Sequence, residues 1–116
     1  MIGNTEALEA KYRTCAEAYG AAYMRGDHKV TNRNYDKLTV LVAKLRTCGE
    51  KGEAILRRLM KDESDAVAMC AATHSLPFAE RDALDVLDSI ARRGGIIGFS
   101  AETTVKEWKS GRLTIC

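Results

Sequence analysis

Apolar residues recur every three or four positions along this chain, in six segments, and nowhere alternate strictly, so the pattern predicts helices and no strand. The stretch from Asp62 to Phe78 says the most. An acidic turn of Asp62, Glu63, Ser64 and Asp65 follows one apolar helix and opens another. That second helix carries Val67, Cys70, Ala71 and His74 at i, i+3, i+4 and i+7, which is one helix face. Small residues on that face let a neighbouring helix approach closely, and Pro77 then stops the helix.

The other elements follow from the same periodicity and its punctuation. A first helix is expected over about Asn4–Arg25, with Leu8, Tyr12, Cys15, Ala16, Tyr19, Ala22 and Tyr23 as its stripe. Glu9, Arg13 and Glu17 alternate in sign on its outer face and are spaced to pair. Gly26 ends this helix and Asp27 caps the next, over about His28–Cys48. Tyr35, Leu38, Leu41, Val42, Leu45 and Cys48 are expected to face inward, and Gly49 stops the helix. A third helix, about Gly52–Lys61, buries Ile55, Leu56, Leu59 and Met60. The fourth is Ser64–Ser75. The fifth, about Ala79–Arg93, is apolar at Ala83, Leu84, Val86, Leu87, Ile90 and Ala91, with Gly94-Gly95 as its terminator. Ser100 is read as the N-cap of a sixth helix, with Val105 and Trp108 inward and Phe99 beside Trp108. The loops are short and no Ser/Gly-rich linker occurs, so the fold class predicted is all-α, a single domain over residues 1–116.

Composition narrows the function classes. A chain of 116 residues can bury roughly two thirds of its unfolded surface without a metal or disulfide framework. No run reaches the ~20 apolar residues that cross a bilayer, so no membrane association is expected. The N-terminal stretch has acids where an export signal carries bases, which makes a cytoplasmic location the expectation. Cys15, Cys48, Cys70 and Cys116 form no C-x-x-C pair. In a reducing compartment all four are expected as free thiols. Net charge is +2, too small to imply nucleic acid by itself. Its distribution is uneven: residues 1–61 hold twelve Lys and Arg against seven Asp and Glu, residues 62–116 six against nine. Two faces of opposite character can therefore meet different partners.

Four features carry candidate chemistry. Cys70 and His74, one turn apart, have ligand or thiol–imidazole spacing. Zinc needs three or four ligands, however, and no carboxylate shares their face, so a packed histidine is the reading and no metal or cofactor is expected. Asp82, Asp85 and Asp88 form an acidic patch with Arg81 and Arg92 in pairing register. It reads as a solvated ion-pair face or, functionally, a partner-facing patch. Gly94-Gly95-Ile96-Ile97-Gly98 lacks phosphate-loop spacing and follows a helix, so it reads as a stop and tight connection. Finally, Lys29, Arg33 and Lys37 make a basic stripe near a helix start, where the dipole disfavours positive charge, and Asn32 and Asn34 flank it. A surface that breaks local preference without a packing reason suggests a use. No constellation points to an enzyme.

The stretch from Asn34 to Gly111 resembles a small group of uncharacterised bacterial HEAT-like domains of unknown function. The resemblance is carried by Tyr35-Asp36-Lys37, Gly52 and Ala54, Asp65 with Val67, Ala71-Ala72-Thr73-His74 and Leu76-Pro77-Phe78. It continues in Gly98-Phe99-Ser100-Ala101-Glu102 and in Glu107-Trp108. It implies an all-helical, solenoid-like fold; the helix lengths themselves read as antiparallel hairpins, a long one over 1–49 capping two short HEAT-like ones over 50–116. Ala68 stands where the HEAT pattern usually has an Arg, so no polar ladder is carried over. A scaffold of this kind presents surfaces. The expected function is a protein-binding module whose partner is a protein, such as a cognate toxin or enzyme occluded by an inhibitor or immunity factor. Nucleic-acid binding through the basic first half is the alternative. Lys29, Asn32, Arg33, Lys37, Asp82, Asp85 and Asp88 are the candidate partner-binding residues.

Overall fold

The computed structural model describes residues 4–115, in which six helices follow one another with no strand: α1 (Asn4–Met24), α2 (His28–Thr47), α3 (Glu50–Leu59), α4 (Asp65–Ser75), α5 (Glu80–Arg93) and α6 (Gly95–Lys109). Met1, Ile2, Gly3 and Cys116, which belong to the expectations about export and free thiols, lie outside the described residues. The punctuation works as its chemistry dictates. Gly26 takes a left-handed φ of 73°, and the Asp27 carboxylate accepts from the Val30 amide at 3.2 Å to cap α2. The Ser64 hydroxyl caps α4 by accepting from the Val67 amide at 3.4 Å.

Each helix packs on its chain neighbour, and α4 lies at the centre, against α1, α3, α5 and α6. Its position explains its composition. Val67, Ala68, Met69, Cys70, Ala71 and Ala72 are all buried, which is the pattern of a helix enclosed on every side and not of a surface helix with one apolar stripe. Around it, Tyr12 and Ala16 of α1, Leu38 and Leu45 of α2, Leu56 and Leu59 of α3, Leu87 of α5 and Ala101 of α6 complete one core. The tail folds back, the Leu113 amide donating to the Glu107 carbonyl at 3.2 Å, and Leu113 packs on the same core.

Three expectations are corrected. The sixth helix begins at Gly95, not after Ser100. Gly94 and Gly95 both take φ of 76°, so two left-handed residues reverse the chain without any loop. Ile97 then packs on the core and the α-carbon of Gly98 fits closely against the Ile90 and Ala91 carbonyls, and this tertiary packing outweighs the local cap signal of Ser100. With the helix extended backwards, Phe99 and Trp108 stand nine residues apart, on opposite faces. Phe99 is accordingly 65% exposed, and Trp108 is only partly buried, its indole N–H donating to Glu80 Oε2 at 2.6 Å. On α2, Asn34 takes the buried position and Tyr35 is 51% exposed. The Asn34 amide is satisfied by donating to the Val30 carbonyl at 3.0 Å, so its burial leaves that donor paired.

The surface charges also pair differently. Glu9 and Arg13 do not pair along α1 but reach other elements. Arg58 donates to both Glu9 oxygens, at 2.6 and 3.0 Å, and Arg13 to Asp62 at 2.8 Å. The Arg58 hydrogen bonds hold the Glu9 carboxyl below its usual range. Asp62 is lowered mainly by the Ser64 amide, with Arg13 adding to it. These bonds tie α1 to α3 and to the turn before α4.

Candidate functional site

The outer side of α2 is where the sequence places its most unusual charges. Lys29, Arg33 and Lys37 are all exposed, share one side of the helix by their spacing of four, and form no ion pair among the described residues. Only Lys29 lies in the first turn, so the macrodipole opposes one charge of the three. What the sequence does not reveal is the neighbour of this stripe. Between α1 and α2 runs a groove of about 580 Å³ lined by Ala10, Thr14, Cys15, Val40 and Leu41, with Lys11, Asp36 and Lys37 among its walls. Val40 is 54% exposed in it. Lys37, the last residue of the stripe, thus stands in the wall of an apolar groove, with Lys11 a further cation on the α1 side and Asp36 the one carboxylate beside them, while Lys29 and Arg33 continue along α2 beyond its lining. The clue was present in Val40: an apolar residue at i+3 from Lys37 and i+7 from Arg33, on an otherwise polar outer face.

Asn32 belongs elsewhere. It turns to the opposite side of α2 and lines a cleft with Tyr19, Tyr23, His28, Thr31 and Tyr35. The same three tyrosines continue into a second hollow of about 320 Å³, walled by Phe99, Thr103, Thr104 and Glu107 of α6 and by Leu113 and Ile115 of the tail. Tyr19 lies between the other two rings, its centroid 6.0 Å from that of Tyr23 and 6.3 Å from that of Tyr35, tilted by 34° and 43°. Burial pushes the Tyr19 phenol up to about 12, so it stays protonated across the physiological range. Tyr12, grouped with these rings by sequence, lies instead in the core.

At the back of this cleft sits the Cys70–His74 pair. The Tyr12 hydroxyl and His74 Nδ1 share a hydrogen bond at 2.7 Å, with the two rings edge to face at 5.8 Å. Burial, with Arg46 contributing, lowers the imidazole to about 4, so it is neutral at ordinary pH. Burial raises the Cys70 thiol to about 12. A thiolate nucleophile needs the opposite shift, and here neither partner carries charge. The pair has the electrostatics of packed core groups. No group of three or more His, Cys, Asp or Glu that could hold a metal ion occurs among the described residues. It follows that Cys15 and Cys48, which are partly exposed, should react with a thiol reagent in the folded protein. Cys70 should stay silent until denaturant is added, and titration without reductant should then recover it as a free thiol. Prompt native labelling of Cys70 would contradict its placement.

The acidic residues of α5 are not one unit. Asp82 and Asp85 are exposed and Asp88 is half-buried. The expected pairs of Asp85 with Arg81 and of Asp88 with Arg92 do not form. Asp82 instead takes Arg57 of α3 at 3.4 Å, and that guanidinium also lies over the Phe78 ring, 5.5 Å from its centroid. Asp85 faces a hollow that also holds Asp62, Asp65 and Arg93. The basic and acidic candidates therefore lie in separate places, on α2 and α5. Among the described residues no helix is long and apolar enough to cross a membrane. Compared with protein-family models, with curated proteins and with solved structures, the chain matches none.

Proposed function

We propose that this chain is a non-enzymatic protein-binding module, a small HEAT-like domain working in the cytoplasm, whose α1–α2 face takes an acidic surface of one partner protein. One observation carries the reading: an apolar groove with a half-exposed valine has Lys11 and Lys37 in its walls, neither of them in an ion pair among the described residues, against a single carboxylate, Asp36. Apolar area surrounded by a charged rim is the anatomy of a protein interface, the apolar part contributing affinity and the rim steering and selecting. An inhibitor or immunity factor that occludes a cognate toxin or enzyme is a role that suits so small a module. That extension rests on analogy of fold. The Asp82–Asp88 surface is the second candidate face.

The alternative is nucleic acid held by the same stripe, and salt separates the two. Phosphate contacts release counterions, so binding to a labelled duplex would fall steeply with salt, whereas a groove-centred protein interface responds less. Reversing the stripe with Lys29→Glu, Arg33→Glu and Lys37→Glu should leave the fold intact. It should raise stability by about 0.3–1 kcal/mol through the first-turn position alone. Association with the protein partner should slow, because rim charges act mainly on the on-rate. Unfolding of the triple variant would show that the stripe serves packing; unchanged association would clear this face.

A further inference from the structure

The tyrosine cleft between α1, α2 and α6 is a separate surface, and it has the opposite electrostatic character. We propose that it binds an arginine side chain presented by an extended segment of a protein partner. This goes beyond the α1–α2 reading and does not depend on it.

Three observations converge. First, the walls are aromatic. Tyr19, Tyr23 and Tyr35 form a tilted cluster, and Phe99 stands 65% exposed on the facing helix. Aromatic faces gathered at a concave site with water access attract cations through the ring quadrupole. Second, among the residues lining both hollows the one charged side chain is Glu107, which forms no ion pair among the described residues. No lysine or arginine lines the cleft, although α2 carries three on its other side. Third, the His74 ring at the floor is itself neutral, held so down to about 4 by burial with the nearby Arg46 charge contributing, so the one imidazole beneath the tyrosines does not repel a cation. A guanidinium suits this arrangement better than an ammonium. It is planar, weakly hydrated and able to stack on a tyrosine while its edge donates to a carboxylate. The hollow beside Phe99, about 320 Å³, holds a single side chain with its stem along Leu38 and Met69 and its head toward Thr103, Thr104 or Glu107.

Isotope-labelled protein titrated with capped tripeptides tests this by amide chemical shifts. The probes are glycyl-arginyl-glycine, its neutral isostere glycyl-citrullyl-glycine, and glycyl-glutamyl-glycine. The arginyl peptide should move the amides of Tyr19, Tyr35, Phe99 and Glu107, and bind about threefold to tenfold more tightly than the citrullyl peptide. Glu107→Gln should weaken the arginyl peptide to about the citrullyl level, and Tyr35→Ala should remove it. Tyr35 is half exposed and Glu107 exposed, so both variants keep the fold, as an unchanged helical spectrum would record. Four results would overturn the proposal: no shifts in the cleft, equal binding of the citrullyl peptide, tighter binding of the glutamyl peptide, or arginyl binding retained in both variants. Tighter binding of tetramethylammonium than of the arginyl peptide would assign the site to a methylated ammonium, and shifts on simple dilution would assign it to a second copy of this chain. Either would also overturn it.

Discussion

Acidification from about pH 6.5 to about 4 should cost the protein roughly 2–3 kcal/mol of stability through His74 alone. The sign follows from which state takes up the proton. In the unfolded chain the imidazole has its ordinary value near 6.5; in the fold, burial with the Arg46 charge lowers it to about 4. Above pH 6.5 both states are neutral and nothing is lost. Between the two values the unfolded state binds a proton that the folded state refuses, so stability falls with pH and the loss is complete below about 4. An edge of the ring reaches the cleft, which places the loss at the lower end of what full enclosure would give. The groups around it have other windows. Tyr12 and Cys70 are raised far above neutrality. Glu9 and Asp62 lose their favourable contributions only below the ordinary carboxylate range, about 4. Denaturant unfolding at several pH values, on the wild type and on His74→Gln, isolates the histidine's contribution. The variant should be flat between pH 6.5 and 4.5, where the wild type slopes. Parallel slopes would place the histidine in water.

Gly52→Ala should destabilise the protein by roughly 2–3 kcal/mol, against the direction that helix propensity gives. In an exposed helix the same change stabilises by about 1 kcal/mol. Gly52, however, is buried in α3 where that helix touches the end of α2, and an added Cβ would sit 1.9 Å from the Leu45 carbonyl oxygen and 2.7 Å from its carbon. Backbone cannot swing aside as a long side chain can, so the helices must part, and Leu45, Leu56 and Leu59 lose contact. For a domain of this size the midpoint of thermal unfolding should fall by about 10 °C. Glu53→Ala, one position on and exposed, should move it little. A Gly52→Ala protein as stable as the wild type would contradict the close approach of α2 and α3.

Those two effects mark what a single chain does and does not disclose. The caps Asp27 and Ser64 and the stop at Gly26 act locally, within three or four residues, and the sequence carries them whole. The core of α3 was legible for the same reason, since Ile55, Leu56, Leu59 and Met60 recur at helix spacing, whereas the one-face reading of α4 missed Ala68, Met69 and Ala72, which its enclosed position buries as well. The exchange between Asn34 and Tyr35 was not. Hydropathy favours the tyrosine inward, but the amide finds a carbonyl one turn back while the phenol gains an aromatic neighbour at the rim. The start of α6 was hidden because two adjacent glycines read as a break, although as left-handed residues they make a corner. That misplacement concealed the cleft as well, by sending Phe99 toward Trp108. Ion pairs such as Arg58 with Glu9 join residues 49 positions apart, which no local spacing rule reaches. The groove beside Lys37 likewise needs both α1 and α2 in place.

The most direct test of the proposed function uses the stripe's own chemistry. Carbodiimide joins amines to carboxylates at zero length, so treating tagged protein in extract of the native host, then sequencing the cross-linked peptides, reads which face meets which charge. Lys11, Lys29 and Lys37 should be joined to aspartates and glutamates of one partner protein, and the yield, at Lys11 as well, should fall when Lys29, Arg33 and Lys37 are reversed to glutamate. Cross-links that run instead from Asp82, Asp85 or Asp88 to lysines of a partner, or that persist unchanged in the reversed variant, would contradict the assignment of the α1–α2 face.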